Sequence, residues 1–120
     1  KIMFTKAGIF RNEASLQEAF DYMKYLRQES NTLHCIDKSK NNNVELISIL
    51  ELRNALELSE AIILSAMHRK ESRGAHHRED FPEISKEGNR HVLIHELQKG
   101  FFKVAYEENL FTRWLQKILT

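Results

Sequence analysis

A chain of 120 residues, 42% of them hydrophobic, is long enough for one compact domain around one core and too apolar for wholesale disorder. Its 18 Lys and Arg residues nearly balance 17 Asp and Glu, so charge alone gives no pull towards nucleic acid or an anionic membrane surface. No apolar run approaches the roughly 18 residues of a membrane span, and direct membrane insertion is not expected.

The chain opens on Lys1 without a signal peptide and reads as a piece of a longer protein. A single cysteine, Cys35, excludes an internal disulfide and leans towards a reducing, cytoplasmic setting. Lys1 to Asn12 carries Ile2, Met3, Phe4, Ile9 and Phe10 around Gly8, which predicts a helical remnant, then a turn, and apolar side chains that need a surface to cover. Ser15-Leu16-Gln17-Glu18 has capping-box spacing. Leu16, Ala19, Phe20, Met23 and Leu26 follow at helical period, so a helix is predicted from about Ser15 to about Leu33.

The stretch from Asp37 to Asn43 is wholly polar and predicts a loop, with Asn43 capping the next helix. From Val44 to about Ser72 there is no Gly or Pro. Leu52, Ala55, Leu56, Ile62, Ile63 and Ala66 form an apolar stripe, widened by Leu46, Ile49, Leu50, Leu58 and Ala61. Only Arg53, Glu57 and Glu60 mark a solvated strip. A helix so apolar around its girth belongs in the middle of a bundle or against another domain. At 1.5 Å per residue it would run about 43 Å, long for a globule of this size, which suggests a partner along part of it.

Gly74 is placed to stop that helix in a left-handed conformation. A polar stretch leads through Asp80-Phe81-Pro82 to Gly88-Asn89, and then the period changes. His91 to His95 and Phe101 to Tyr106 are rich in β-branched and aromatic residues about Gly100, which predicts a hairpin with a bulged turn. Leu110, Trp114 and Ile118 mark a short final helix opened by Asn109. The predicted fold is mainly α, a bundle of about three helices like a spectrin repeat, with a small C-terminal β-hairpin. Residues 1–82 would form the bundle and 83–120 an extension.

The densest chemistry lies in residues 69–82, where Arg69, Arg73 and Arg78 surround a glycine turn. Guanidinium forks bind carboxylates and phosphates through paired, charge-assisted hydrogen bonds, so a substrate site and a domain interface are both open. A self-paired surface loop is the plainer reading, with Glu71, Glu79 and Asp80 answering the three arginines.

The order of residues adds to this. Arg69, Glu71, Ser72, Arg73, Gly74, Ala75, His76, Arg78, Asp80 and Pro82 match, in place, a run near the C-terminus of succinate dehydrogenase, fumarate reductase and L-aspartate oxidase flavoproteins. Gly8-Ile9-Phe10-Arg11-Asn12-Glu13, with Leu16, resembles the start of that family's helical domain. Residues 51–58 resemble the helix before the arginine run. The resemblance covers residues 2–82 and identifies the chain as similar to the C-terminal helical domain of this family.

The resemblance implies a parent that oxidises succinate or reduces fumarate by hydride transfer through FAD. It implies the flavin-binding and capping domains of that parent as partners, with an iron–sulfur subunit of a respiratory complex beyond them. It also implies a cytoplasmic position, peripheral to the inner membrane through partner subunits. The flavin is not expected on this chain, because Gly8, Gly74, Gly88 and Gly100 lie too far apart for a phosphate-binding turn. No catalytic, cofactor-binding or metal residue is assigned here, and the isolated chain is expected to be inactive. Arg69, Glu71, Ser72, Arg73, Gly74, His76, Arg78 and Asp80 are read as a docking signature. With the partner domain absent, the arginines are expected to be solvent-exposed and the 74–89 segment mobile.

The histidines support no metal site. His91 and His95 share a helix face only if that segment is helical, and it reads as a strand. Adjacent His76 and His77 chelate poorly, and His34 beside Cys35 lacks both a third ligand and the facing geometry of a nucleophile pair. Two alternatives to the structural domain stand: the equivalent domain of L-aspartate oxidase, and an independent helical module that binds an anion or acidic peptide. A free-standing enzyme is disfavoured by the missing cofactor fold.

Overall fold

The computed structural model describes residues 1–98 and 101–107, and Ile118 alone beyond them. In chain order it contains α1 (Ile2–Lys6), β1 (Phe10–Arg11), α2 (Glu13–Ser30) and α3 (Val44–His68). There follow β2 (His77–Arg78), a 3-10 turn (Glu87–Asn89), β3 (Val92–Gln98) and β4 (Phe101–Tyr106). A helical bundle with a small hairpin is the architecture, as the sequence periods predict. The final helix expected after Asn109, around Leu110 and Trp114, lies outside the described residues, as does Gly100.

The two long helices pack antiparallel. At one end Arg53 Nη2, early in α3, donates to Ser30 O at the end of α2 at 3.2 Å. At the other end the Arg78 side chain joins Glu13, at the start of α2, to the Ala66 carbonyl of α3. Between them lies a core of Leu16, Ala19 and Met23 from α2 and Leu56, Ile63 and Ala66 from α3, closed by Ala7. Ile2, Met3, Phe20, Leu26 and Met67 pack around it. Leu16 and Ile63 are fully buried, and burial of each stabilises by about 1.5–3 kcal/mol.

Three sequence expectations need correction. The cap of α2 is Asn12, not Ser15: Asn12 Oδ1 accepts from Ser15 N at 2.9 Å, so the serine donates where it was expected to accept. The second helix stops at His68, four residues short of Ser72, with Arg69 already extended at φ −81°, ψ 94°. Gly74 does take a left-handed φ of +59°, but within a later turn whose ends, Arg73 and His76, exchange backbone hydrogen bonds. The third correction concerns the face of α3. Glu60, expected in solvent, is 1% exposed and faces Arg27 of α2 at 3.1 Å, while Leu52, Leu58 and Ile62 are exposed. A helix apolar on several sides carries little directional signal, so its neighbours choose the buried face.

The 31–43 connection is held locally. Asn43 caps α3 by accepting from Leu46 N at 2.8 Å, and its amide donates to Asp37 O and Ser39 O. Glu45 accepts from the backbone of Ile36 and Asp37, and Cys35 Sγ leans on the same carboxylate. These bonds hold the Glu45 carboxyl below its ordinary range. The hairpin β3–β4 is antiparallel, with a bulge between Glu96 and Gln98. It packs on the C-terminal end of α3, where the Tyr106 and His68 rings are 4.9 Å apart.

Candidate functional site: the arginine-rich turn

Residues 69–90 form a knot that closes one end of the helix pair. Its first strand is paired in parallel to the N-terminal segment, with Phe10 opposite His77 and Arg11 opposite Arg78. This pairing brings together two stretches about 65 residues apart, and it sets the charged side chains above the open ends of α2 and α3.

Arg78 is the centre of the knot and is fully buried. Its Nε and Nη2 grip both oxygens of Asp80 at 2.7 Å each, and Nη2 also meets Glu13 Oε2 at 2.7 Å. Nη1 donates to Ala66 O at 3.0 Å and Met67 O at 3.4 Å, among the last carbonyls of α3, which have no partner within the helix. Asp80 in turn accepts from Glu13 N, at the first turn of α2, at 2.9 Å. A cation therefore sits at a helix C-terminus and an anion at a helix N-terminus, and both signs suit the helix dipoles. The Arg78 fork, then the backbone donors at Glu13, hold the Asp80 carboxyl down to about 2. The same carboxylates push the Arg78 guanidinium up against the opposing effect of burial. This cap, supplied from ten residues downstream, is why α3 ends at His68.

Glu71 is the second centre and is also fully buried. It receives Arg69 Nη1 at 2.6 Å, Arg73 Nε and Nη2 at 3.2 Å each, and Ser85 N at 2.8 Å. Burial pushes this carboxyl up, but the bonds from Arg73, Ser85 and Arg69 outweigh it and hold it down at about 2. Gly88 lies directly behind: a Cβ there would fall 1.7 Å from Glu71 Oε1, so only glycine lets the chain pass. Arg69 completes the closure by donating to Gly88 O and Arg90 O.

Ser72 and His76 fix the turn from inside. Ser72 Oγ accepts from Arg78 N at 2.8 Å and donates towards Phe81 O at 2.9 Å. His76 Nε2 meets Arg69 O at 3.0 Å and Nδ1 meets Arg11 Nη1 at 2.7 Å, an arrangement that assigns the neutral Nε2–H tautomer. Burial lowers the His76 pKa, the Arg69 carbonyl opposes this, and the charges of Arg11, Arg78 and Arg69 lower it further.

The arginines are therefore not exposed as a group, contrary to the expectation from sequence. Arg78 faces fully inward, Arg69 is largely covered, and Arg73 keeps 38% of its side chain in solvent. The reason is that each has a carboxylate within the same knot. Three participants went unnoticed in the sequence as part of this cluster: Arg11, Glu13 and Gly88. The first two belong to the Gly8–Glu13 motif, which the β1–β2 pairing joins to the arginine run. Among the described residues, no group of three His, Cys, Asp or Glu side chains is placed to hold a metal. His34 and Cys35 do not pair: the imidazole meets Thr32 O and the thiol faces Glu45.

The family model described as "Fumarate reductase flavoprotein C-term" matches residues 1–118. The chain belongs to this family. The fumarate reductase flavoprotein subunit of Mycobacterium tuberculosis H37Rv is 38% identical over 109 residues, covering 90% of this chain and 19% of that protein. The succinate dehydrogenase flavoprotein subunit of Rickettsia felis is 37% identical over 119 residues, covering 98% of this chain and 20% of that protein. Among solved structures, Escherichia coli quinol fumarate reductase FrdA superposes with a TM-score of 0.83 at 30% identity, over 89% of this chain and 19% of that one. The Mycobacterium smegmatis Sdh1 complex gives 0.77 at 26% identity, over 91% and 19%. The chain spans about one fifth of the length of these relatives. It is a C-terminal domain of the succinate dehydrogenase and fumarate reductase flavoprotein subunits.

The parent family is FAD-dependent, and the described residues of the arginine turn do not fit the flavin. The two glycines beside the arginines are unsuited to a pyrophosphate, since Gly88 is backed by the Glu71 carboxylate and the turn at Gly74 is closed by Arg73 and His76. The cavity among Arg69, Arg73 and Arg90 is about 270 Å³, below the range of sites that enclose a cofactor.

Proposed function

We propose that this chain is the structural platform on which the flavin-binding and capping domains of an FAD-dependent succinate dehydrogenase or fumarate reductase flavoprotein rest. The supporting observation is a set of large apolar side chains left in solvent, including Phe4 at 87%, Val44 at 70%, Phe10 at 69% and Leu58 at 62% exposed. Scattered apolar residues are ordinary on surfaces, but here they crowd the N-terminal segment and the flank of α3 in a chain one fifth as long as its relatives. Residues 1–82 act as the platform and residues 83–120 as an extension, of which the β3–β4 hairpin packs on the α3 end. Through the parent, the domain serves dicarboxylate oxidation or reduction and electron transport, in an assembly with an iron–sulfur subunit at the inner membrane.

The experiment is a comparison of the Phe10→Ser/Leu58→Ser double variant in two settings. In the full-length flavoprotein it should weaken flavin retention and lower the melting midpoint. In the 120-residue chain it should leave the midpoint within about 1 °C, since exposed positions contribute little to a domain's own stability. Unchanged flavin retention in the full-length variant would remove the platform reading.

A further inference from the structure

The arginine knot opens on one side into a cavity. Arg69, Arg73, His76, Gly88, Asn89, Arg90 and His91 surround a cavity of about 270 Å³. Two of its guanidinium groups, Arg69 and Arg73, share the single carboxylate of Glu71 among the described ion pairs. Arg73 spends Nε and Nη2 on Glu71 and Ser85 O, while its Nη1 has no partner among the described residues. It is also the most exposed of the three signature arginines, at 38% of its side chain. A guanidinium already held rigidly on one edge offers its remaining donors at low entropic cost, and a planar carboxylate is their natural partner.

We propose that this cavity is a carboxylate-binding pocket, filled by an Asp or Glu side chain from the remainder of the flavoprotein chain. The inference rests on the platform reading and names the polar contact that orients the platform. The volume suits a side chain and is too small for a nucleotide or flavin. Four-fifths of the length of the matched relatives lies outside this chain, which supplies the source of the carboxylate. Apolar contact through Phe10 and Leu58 gives area without register, whereas a half-buried Arg73–carboxylate pair fixes one orientation.

The test uses the full-length flavoprotein as wild type, Arg73→Gln and Glu71→Gln. Its readout is the melting midpoint of flavin release between about 0.05 and 0.5 M NaCl, with and without added succinate; salt over that range screens partly exposed pairs strongly and buried ones little. Wild type should lose several degrees across the series. Arg73→Gln should start lower and be nearly flat, while Glu71→Gln, which breaks only internal bonds, should start lower yet keep the salt slope. An Arg73→Gln protein with the wild-type slope would overturn the proposal, because Arg73 would then act only inside the knot. A midpoint rise with succinate that wild type shows and Arg73→Gln lacks would also overturn it, since the occupant would be a free dicarboxylate. Failure of the platform reading is seen separately, in the Phe10→Ser/Leu58→Ser protein, and does not depend on salt.

Discussion

The two ends of the α2–α3 pair are closed by different means. At the 31–43 end most polar contacts are local: Asn43 and Glu45 hold backbone within ten residues of themselves, Arg53 reaches across to Ser30 O, and Ile36 and Val44 remain in solvent. At the arginine end the contacts span the chain: Arg78 reaches Glu13, Arg11 reaches His76, and the ions at the centres are fully buried. A locally capped end can be altered one residue at a time. An end built around a buried guanidinium fails as a unit, because the one side chain of Arg78 joins Asp80, Glu13 and the last carbonyls of α3.

The largest expected effect follows from that difference. Arg78→Ala removes the bonds to Asp80, to Glu13 and to the Ala66 carbonyl, and should cost about 1.5–3 kcal/mol in denaturant unfolding, since both carboxylates keep access to solvent. Asn43→Ala at the other end removes the α3 cap and two half-exposed bonds to the loop backbone, and should cost about 1 kcal/mol. Similar losses for the two would erase the contrast. Next in size is a pair of glycines. Gly88→Ala forces a Cβ into the Glu71 carboxylate and should cost about 1–3 kcal/mol. At Gly74 nothing lies within 4 Å, so Gly74→Ala meets only its left-handed backbone, about 1 kcal/mol.

Acid sharpens the comparison further. Glu71 and Asp80 are held at about 2 in the folded chain, below their unfolded values, so they bind protons more weakly folded than unfolded. Their stabilisation is fully present above about pH 4.5 and is lost as pH falls towards 2. Stability measured down that range should drop, and Glu71→Gln should flatten part of the drop. Glu60 has the opposite sign: burial raises its pKa despite Arg27 and Lys24, so its contribution is present at low pH and lost as pH rises through the raised value. Glu60→Gln should therefore be neutral or slightly stabilising at pH 7, the smallest effect of the set, read from the same unfolding curves.

What the sequence made legible divides along the same line. The helices from Leu16 to Leu26 and from Val44 onward, the Asn43 cap and the strands about 92–106 follow from period and local capping chemistry, and the structure carries them. The errors sit where a distant residue decides. The Ser15 cap is the exception, a local miss: Asn12, three residues earlier, takes that role by accepting from Ser15 N. The helix past His68 looked unbroken because the Arg78 guanidinium that ends it is not visible as a period. Glu60 looked solvated because Arg27 comes from another helix. The arginine run was legible as a signature from the order of its residues, while its inward direction depended on carboxylates brought in by folding.

Arg78 is an internal clamp of this domain, whatever else the arginine turn touches. Its most direct test is one pair of melting curves for Arg78→Ala, in the 120-residue chain and in the full-length flavoprotein. A large loss is expected in both, because Asp80, Glu13 and the end of α3 are present in each. An isolated chain that melts like its unsubstituted form, with the loss confined to the full-length protein, would contradict it and make Arg78 a docking residue.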